Sequence, residues 1–464
     1  MRRLLACLAA ALPLAAQNPL TLEEVLQSVD RHYPPLLAAL QDRTLAAADV
    51  LAASSRFDLS VKSAYDSVQG GGYPTDVFKA GVEQALQFQG MSWFAGYQLG
   101  TGNFASYEGK LQTDSGGEYK AGLRMPLLRD RPVDARRADL QKALIGRRIA
   151  DLGVDQQRLL IVQLATRRYY EWVAAGQRYR VAQAVLKVAE ERDSQLREAA
   201  RLGQIPSIDV TDNQRAILTR RGQVIEAQRG LQQAAIELSL FYRDAAGNPA
   251  VPEESRLPGS FPAMRAIDEQ RLADDIELAM RRRPEIRRFR EQRNQVEIDR
   301  KLAQNQLLPN VDVVLSFTSQ IGERRVRRGP NDVMASLIFD LPAQRRAAKS
   351  RDLAALARIE QFDQRERFAR DQVAAEVQDA YSALKAAYER ARVLREEVEV
   401  ARQLEVAERV RFELGEGNLF LVNLREQATY ETELREVAAV AEFYRALAFY
   451  EYAIAEAMSR PRQP

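Results

Sequence analysis

The sequence has very few of the residues from which most metal sites and many active sites are built. It contains one cysteine, Cys7, and one histidine, His32. A structural zinc site takes several Cys or His ligands and a serine-type triad takes a histidine base, so both have poor prospects. The sequence also has no phosphate-binding loop and no dinucleotide fingerprint. It therefore predicts no metal site, no cofactor and no enzyme activity.

An excess of charge of one sign is also missing. The chain has 67 Lys and Arg against 64 Asp and Glu, for a net charge of +3 over 464 residues. This balance gives no basic footprint for nucleic acid, so no nucleic-acid partner is expected. Most of the charges are interspersed along helical segments, which is typical of solvated helix faces.

Long hydrophobic runs are absent beyond the N-terminus. Residues 1–16 join a short basic stretch to the apolar run LLACLAAALPLAA, which predicts a secretory signal peptide cleaved after Ala16. A lipoprotein is disfavoured because Cys7 lies inside the apolar run. No later run approaches the roughly 20 residues of a membrane helix. The exported chain is then either a soluble periplasmic protein or an outer-membrane β-barrel.

One order of elements occurs twice along the chain: a helix, strands, a long helix, a glycine-containing turn and a second helix. The first repeat is predicted at 17–243, with helix 21–55, strands 57–128, helix 133–200, turn 201–206 and helix 207–243. A Pro-rich linker is predicted at 244–266. The second repeat is predicted at 267–459, with helix 268–306, strands 311–341, helix 343–411, turn 412–419 and helix 419–459, followed by a tail at 460–464.

The two turns support this duplication. Leu202-Gly203 and Leu414-Gly415 are 212 residues apart, and a valine follows each glycine by seven positions. Glycine supplies the positive φ that ends a helix. The long helices before the turns have about 68 residues, or roughly 100 Å. Two strands per repeat leave open sheet edges, which several copies arranged in a ring would close.

These features together resemble the TolC-like outer-membrane efflux proteins over nearly the whole mature chain. The matching segments are LTLEEVL, YPPLLAAL, RPEIRRFR, LLPNVDV, GLRMPLLRDR and the two LG-x6-V turns. The resemblance implies a mainly α fold with a β-barrel part. It implies a homotrimer whose chains each give four strands to a twelve-stranded transmembrane β-barrel, continued by a long periplasmic α-helical barrel.

The resemblance also implies a function. The chain would be the outer-membrane channel of a tripartite efflux system, a passive duct for drugs and toxic compounds that reaches from the outer-membrane lipid into the periplasm. Its partners would be a periplasmic adaptor (membrane fusion protein) and an inner-membrane transporter. Two alternatives stay open: the channel of a type I protein secretion system, and a soluble periplasmic coiled-coil scaffold or adaptor.

The family often places pore-facing acids six and nine residues after the turn glycine. Asp209 and Asp212 keep this spacing after Gly203, and a ring of carboxylates attracts cations. Acids near a helix start also interact favourably with the helix dipole, which is the alternative.

The second repeat has leucines at the equivalent positions, Leu421 and Leu424. With Asn423 they predict a constriction that closes by dewetting and packing. The alternative is that these leucines face a neighbouring helix.

In the family the turns dock the adaptor, and the alternative is that they only cap helices. The docking candidates are Leu202, Gly203, Gln204, Leu414, Gly415 and Glu416.

The first strand region is longer than two strands require. Residues near 78–112 are expected to add a hairpin whose place the sequence does not fix. Aromatic residues concentrate in 57–119, which fits either the girdles of a membrane barrel or the core of a soluble sandwich. The basic loop 322–329 is predicted to be extracellular.

Overall fold

The computed structural model describes residues 18–70, 72–105, 108, 111–265, 268–325 and 331–456. The predicted signal peptide at 1–16, the tail at 460–464 and much of the basic loop lie outside the described residues. The fold is mainly α with one antiparallel sheet, as the sequence predicts. The elements are α1 Leu22–His32, α2 Pro34–Ser54, β1 Ser60–Val68, β2 Thr75–Ala85, β3 Ser92–Gly102, β4 Glu118–Pro126, α3 Ala135–Arg201, α4 Ser207–Ser239, α5 Leu272–Arg282, α6 Pro284–Asn305, β5 Asn310–Gln320, β6 Asn331–Asp340, α7 Arg346–Glu413 and α8 Leu419–Ala453.

Proline divides the first helix of each predicted repeat. Pro34 separates α1 from α2, and Pro284 separates α5 from α6. Proline lacks an N–H and disfavours helical backbone at the residue before it, so Tyr33 is extended with ψ 113°. The start of α1 follows its sequence signal, since the Thr21 hydroxyl accepts a hydrogen bond from the Glu24 N–H at 3.2 Å.

The chain forms two compact units. The helical unit takes the described parts of 1–39, 155–283 and 371–464, and the sheet unit takes 40–154 and 284–370. Each unit therefore contains segments of both predicted repeats. The division into two sequence repeats stays a prediction.

The core of the helical unit is rich in aromatic side chains. Trp172 on α3 is buried, and Tyr170 stacks on Tyr444 of α8 with ring centroids 4.2 Å apart. The Pro-rich linker belongs to this core rather than running free of it. Leu257 from the linker is buried, and the Tyr444 hydroxyl donates to the Pro262 carbonyl at 2.6 Å.

In the sheet unit, α6 lies between α3 and α7. Lys142 of α3 pairs with Asp299 of α6 at 2.8 Å. On its other side, α6 presents Arg293 to Asp363 of α7 at 2.6 Å. Exposed pairs of this kind add little stability individually, so their value here is to identify which helices are neighbours.

The sheet has six strands in the order β1-β2-β3-β4-β5-β6, and all neighbours are antiparallel. The sheet of the described residues therefore has two strands more than the four that each chain is expected to give to a barrel. The additional hairpin is β2–β3, and it lies inside the sheet: Phe78 of β2 is opposite both Tyr65 of β1 and Leu99 of β3. A count of twelve strands from three chains does not follow from this sheet.

The two faces of the sheet differ in composition. Directly opposed residues on antiparallel strands point to the same face, so the register assigns every side chain. One side, named here the apolar face, carries Val61, Tyr65, Phe78, Val82, Trp93, Tyr97, Leu99, Tyr119, Leu123, Met125, Val311, Val313, Leu315, Phe317, Val333, Leu337 and Phe339. The other side, the polar face, carries Lys62, Asp66, Lys79, Glu83, Gln98, Glu118, Lys120, Arg124, Asp312, Ser316, Thr318, Gln320, Asp332, Ser336 and Asp340, together with the apolar side chains of Val68, Val77, Phe94, Val314, Met334 and Ile338. The apolar face also includes Asp76, Gln84, Ser319 and Asn331.

Candidate functional site

The turn at 201–206 ends α3 in a Schellman motif. The Gln204 N–H donates to the Ala199 carbonyl at 2.9 Å, and the Gly203 N–H donates to the Ala200 carbonyl at 3.0 Å. Gly203 has φ +70°, and a Cβ there would meet nothing within 4 Å. The position is therefore glycine for its backbone conformation and not for lack of space.

The turn at 412–419 repeats this geometry. The Glu416 N–H donates to the Arg411 carbonyl at 2.9 Å, and the Gly415 N–H donates to the Phe412 carbonyl at 3.0 Å. Gly415 has φ +78°. The next helix begins after Asn418, whose side chain accepts from the Leu421 N–H at 2.9 Å. The two turns are thus the same structural element at equivalent positions.

The candidate docking residues at both turns are open to solvent in the single chain. Leu202 is 55% exposed and Leu414 is 71% exposed. Gly203, Gln204, Gly415 and Glu416 are exposed as well. These residues are therefore accessible to a second protein, and single exposed leucines also occur on ordinary protein surfaces.

Two of the candidate constriction residues touch each other. The Asn423 side-chain amide on α8 donates to the Asp212 carboxylate on α4 at 3.0 Å. Asp212 is nine residues beyond Gly203, and Asn423 is eight residues beyond Gly415. The two turns therefore lie at the same end of the helical unit.

The other candidates are only partly covered. Asp209 is half-buried in the first turn of α4, where an acid interacts favourably with the helix dipole. Leu421 is half-buried and Leu424 is 51% exposed. In the single chain, about half of the apolar side chain of Leu424 is thus not covered by other residues.

Next to this contact lies a buried carboxylate that the sequence analysis missed. Glu426 on α8 is 3% exposed and is surrounded by arginines from three other helices. Arg192 of α3 donates to it at 2.9 Å, Arg220 of α4 donates at 2.7 Å, and Arg409 of α7 is 3.5 Å away. One side chain therefore ties together α3, α4, α7 and α8.

The network connects to the candidate constriction through Arg192. This guanidinium donates to Asn423 at 2.7 Å as well as to Glu426. Burial lowers the pKa of Arg192 from its ordinary value, and the charge of Glu426 opposes this effect. Arginine is nonetheless protonated at neutral pH, so the network holds full charges.

Sequence reasoning missed Glu426 because a glutamate in a charged helix normally faces solvent. A signal was nevertheless present. Val422 and Thr429 lie one turn before and one turn after Glu426 on α8, and both are buried, so position 426 falls on the inward stripe of the helix.

Two helices carry exposed apolar stripes at heptad-like spacing. On α4 the stripe is Leu218, Ile225 and Ile236, and on α7 it is Val393, Val400 and Leu404. Apolar residues three, four and seven positions apart lie on one side of a helix. Such stripes are suited to packing against further helices.

In the described part of the chain, no group of three or more His, Cys, Asp and Glu side chains is placed to hold a metal ion. No helix among the described residues is long and apolar enough to cross a membrane.

Solved structures of outer-membrane channels share this fold. The open state of the Neisseria gonorrhoeae MtrE outer membrane channel matches with a TM-score of 0.64, over 96% of this chain and 91% of that one, at 16% identity. The outer membrane protein VceC from Vibrio cholerae matches with a TM-score of 0.64, over 93% and 95%, at 14% identity. The Campylobacter jejuni CmeC outer membrane channel matches with a TM-score of 0.63, over 93% and 85%, at 13% identity.

No protein-family model and no curated protein sequence matches the chain. At these identities the likeness concerns the fold. The expected resemblance to TolC-like outer-membrane channels is confirmed at that level.

Proposed function

We propose that this chain is an outer-membrane channel that serves as the exit duct of a tripartite efflux system. The observation that carries the proposal is the two-faced sheet. Its strands have 9 to 11 residues, the length that crosses a membrane as a tilted β-strand. Apolar and polar side chains alternate along them, as in barrels with a lipid-facing exterior and a polar lumen.

The exposure of the apolar face supports the proposal that this face contacts lipid. Val333 is 82% exposed, Leu337 69% and Phe339 65%. On a water-soluble protein a patch of this size would favour aggregation. A bilayer covers it without requiring a second layer of structure.

A homotrimer would cover the exposed apolar stripes of the helices. The stripes on α4 and α7 would pack between neighbouring copies and form the wall of a helical barrel. The partly exposed Leu424 and Leu421 would then face either a neighbouring copy or the lumen.

The candidate gate would lie where the turns meet. Asp209 and Asp212 would bring carboxylates to a narrow pore, while Leu421, Asn423 and Leu424 would close it by packing and dewetting. The contact between Asn423 and Asp212 joins these two halves of the gate. An unchanged conductance and drug susceptibility in Leu421→Asp would exclude the leucines from the gate.

A periplasmic adaptor is the proposed partner of the turns, and through it an inner-membrane transporter. Replacing Gln204 or Glu416 with tryptophan should then reduce efflux in cells while the purified protein keeps its trimeric mass. Loss of the trimer would instead assign these residues to folding.

Planar-bilayer recording of the purified full-length chain tests the channel directly. We expect ion-conducting pores whose current disappears when the protein is heat-denatured before addition. A folded protein that inserts into the bilayer and passes no current would contradict the proposal. Deletion of the gene should also raise the drug susceptibility of the cells. If deletion instead abolishes the secretion of a protein and leaves drug susceptibility unchanged, the type I secretion alternative is favoured.

A further inference from the structure

We infer that the outer strands β1 and β6 pair with two further copies of this chain, so that three chains close one barrel of eighteen strands. The inference rests on the proposed function as an outer-membrane trimer and defines the interface and width of its barrel. Three chains with six strands each give eighteen. The usual four strands per chain would give twelve.

The two edge strands are open and have matching directions. Among the described residues, β1 pairs with β2 alone and β6 pairs with β5 alone. Open edges present unpaired N–H and C=O groups, which have no water partners inside a bilayer. Because the sheet has six strands that alternate in direction, β1 and β6 run in opposite directions, and β6 of one copy runs antiparallel to β1 of the next. The ring can therefore close with one regular pattern.

The side chains select one register for this pairing. Matching the apolar faces and using all nine residues of β1 places Ser60 opposite Asp340 and Val68 opposite Asp332. Val61 then meets Phe339 on the apolar face, a pairing of β-branched and aromatic residues that stabilises sheets. No two like charges are opposed anywhere along this interface.

The register within one chain gives the tilt of the closed barrel. The row of directly opposed residues that starts at Ser60 passes through Glu83, Phe94, Gly122 and Ser316 and reaches β6 at Met334. In the inferred interface, Ser60 of the next copy lies opposite Asp340 instead of Met334. The register therefore shifts by six residues for every six strands. With a rise of about 3.3 Å and a strand spacing of about 4.8 Å, the strands tilt by about 35°. Outer-membrane barrels have tilts of about 35–45°.

The wider barrel has room for a segment that covers the polar face. Within the connection between β3 and β4, residues 111–113 lie over that face: the Gly100 N–H donates to the Thr113 hydroxyl at 3.1 Å, and the Gln98 amide donates to the Leu111 carbonyl at 3.2 Å. A Cβ at Gly100 would be 1.9 Å from the Leu111 carbonyl oxygen. In the closed barrel, three copies of this segment occupy the lumen.

Whether the three copies of this segment fit inside depends on the diameter of the barrel. At this tilt and spacing, eighteen strands give a backbone diameter of about 34 Å, and twelve give about 23 Å. On the polar face of the sheet, a hollow of about 550 Å³ is lined by Lys62, Lys79, Glu83, Gln98 and Lys120 among others. The inferred barrel thus has a wide wall of strands, and residues 111–113 of each chain narrow its lumen.

Cryo-electron microscopy of the full-length protein, extracted from outer membranes in detergent, counts the strands. We expect three chains and eighteen strands in the barrel cross-section. Twelve strands, from either two or three chains, would overturn the inference and leave the channel proposal intact. A soluble particle without a detergent belt would overturn both.

A cysteine pair tests the interface independently. Ala64→Cys with Ser336→Cys places two thiols opposite each other on the polar face of neighbouring copies, so mild oxidation should give covalent trimers. The matched control replaces the adjacent Ala335 instead of Ser336, which puts the second thiol on the other face and should give none. An intact trimer in which neither pair cross-links, or both do equally, would overturn the β1–β6 register.

Discussion

Asn423 on α8 and Asp212 on α4 form a hydrogen bond of 3.0 Å beside the turns. The two residues come from different halves of the chain, 211 positions apart. Each follows its own turn glycine by a similar number of residues, so the contact joins equivalent positions beside the two turns. Arg192 holds the same asparagine from α3 at 2.7 Å, which couples this contact to the buried charge of Glu426.

This contact makes a prediction about conductance. Asn423→Ala should loosen α8 from α4 near the turns and raise single-channel conductance in planar bilayers. Asp212→Ala removes the same hydrogen bond but leaves Arg192 on Asn423, so it should act in the same direction with a smaller effect, and the double variant should match Asn423→Ala. Gln427→Ala, one turn further along α8, is the control and should leave conductance unchanged. Fully additive effects would show that the two residues act separately.

Removal of the buried charge should have a larger effect on stability. Glu426→Gln leaves Arg192 and Arg220 buried without their carboxylate, and breaking such a group costs about 3–5 kcal/mol. Amide exchange in α8 should therefore become about 100-fold faster or more. The control is Glu397→Gln, because the pair of Glu397 with Arg435 is exposed and contributes at most about 1 kcal/mol. Equal exchange in both variants would mean that the network is not a structural tie.

The glycines of the turns should be intolerant of substitution for conformational reasons alone. Alanine at Gly203 or Gly415 is forced to positive φ, which costs about 1–2 kcal/mol and should lower the melting temperature. Gly222 lies within α4 with nothing within 4 Å of a Cβ, so Gly222→Ala should be stabilising by up to about 1 kcal/mol. A melting temperature that rises in all three variants would contradict this account.

Acid should weaken the anchoring of α1 to the linker. Arg256 donates to both oxygens of Glu24, at 3.0 and 2.7 Å, and these hydrogen bonds lower the pKa of the Glu24 carboxyl. The unfolded chain then binds more protons, so this contribution is complete above the unfolded pKa of about 4.3 and is lost as the pH falls through the lower folded pKa. Thermal stability should decline less steeply below about pH 4.5 in Glu24→Gln than in the wild type. The exposed neighbour variant Glu23→Gln should keep the wild-type slope.

Adjacent residues of β6 should respond in opposite ways to the same substitution. Leu337→Arg puts a charge on the apolar face near the middle of the strand, where a bilayer penalises it by about 2–4 kcal/mol. Ser336→Arg puts the same charge on the polar face at little cost. The yield of folded trimer in the outer-membrane fraction should fall only for Leu337→Arg. A lower yield for Ser336→Arg than for Leu337→Arg would mean that the polar face meets lipid and the apolar face lines the lumen.

Much of the helical architecture could be predicted from the sequence because its signals are local. Glycine at 203 and 415, proline at 34 and 284 and the Thr21 cap fix helix ends by the conformations of single residues. The helices at 135–201 and 346–413 begin and end within three residues of the predicted positions, and the two glycines account for where they end.

The strand count and the buried network could not be predicted in this way. The pairing of β4 with β5 joins residues such as Leu123 and Leu315, nearly 200 positions apart, and alternation alone does not say which strands are neighbours. The length of the 57–128 region indicated an additional hairpin but not that it would lie within the sheet. Glu426 is buried by three arginines that come from three other helices. Contacts between residues so far apart in the sequence are only weakly indicated by the local pattern.

The most direct test of the central claim is fractionation of cells that express the full-length chain. Membranes are separated into inner and outer fractions and washed with sodium carbonate and urea, and the residue is extracted with detergent. An outer-membrane channel should remain in the outer fraction through both washes and dissolve only with detergent. Release of the chain by carbonate or urea as a water-soluble rod would contradict the channel and favour the periplasmic scaffold.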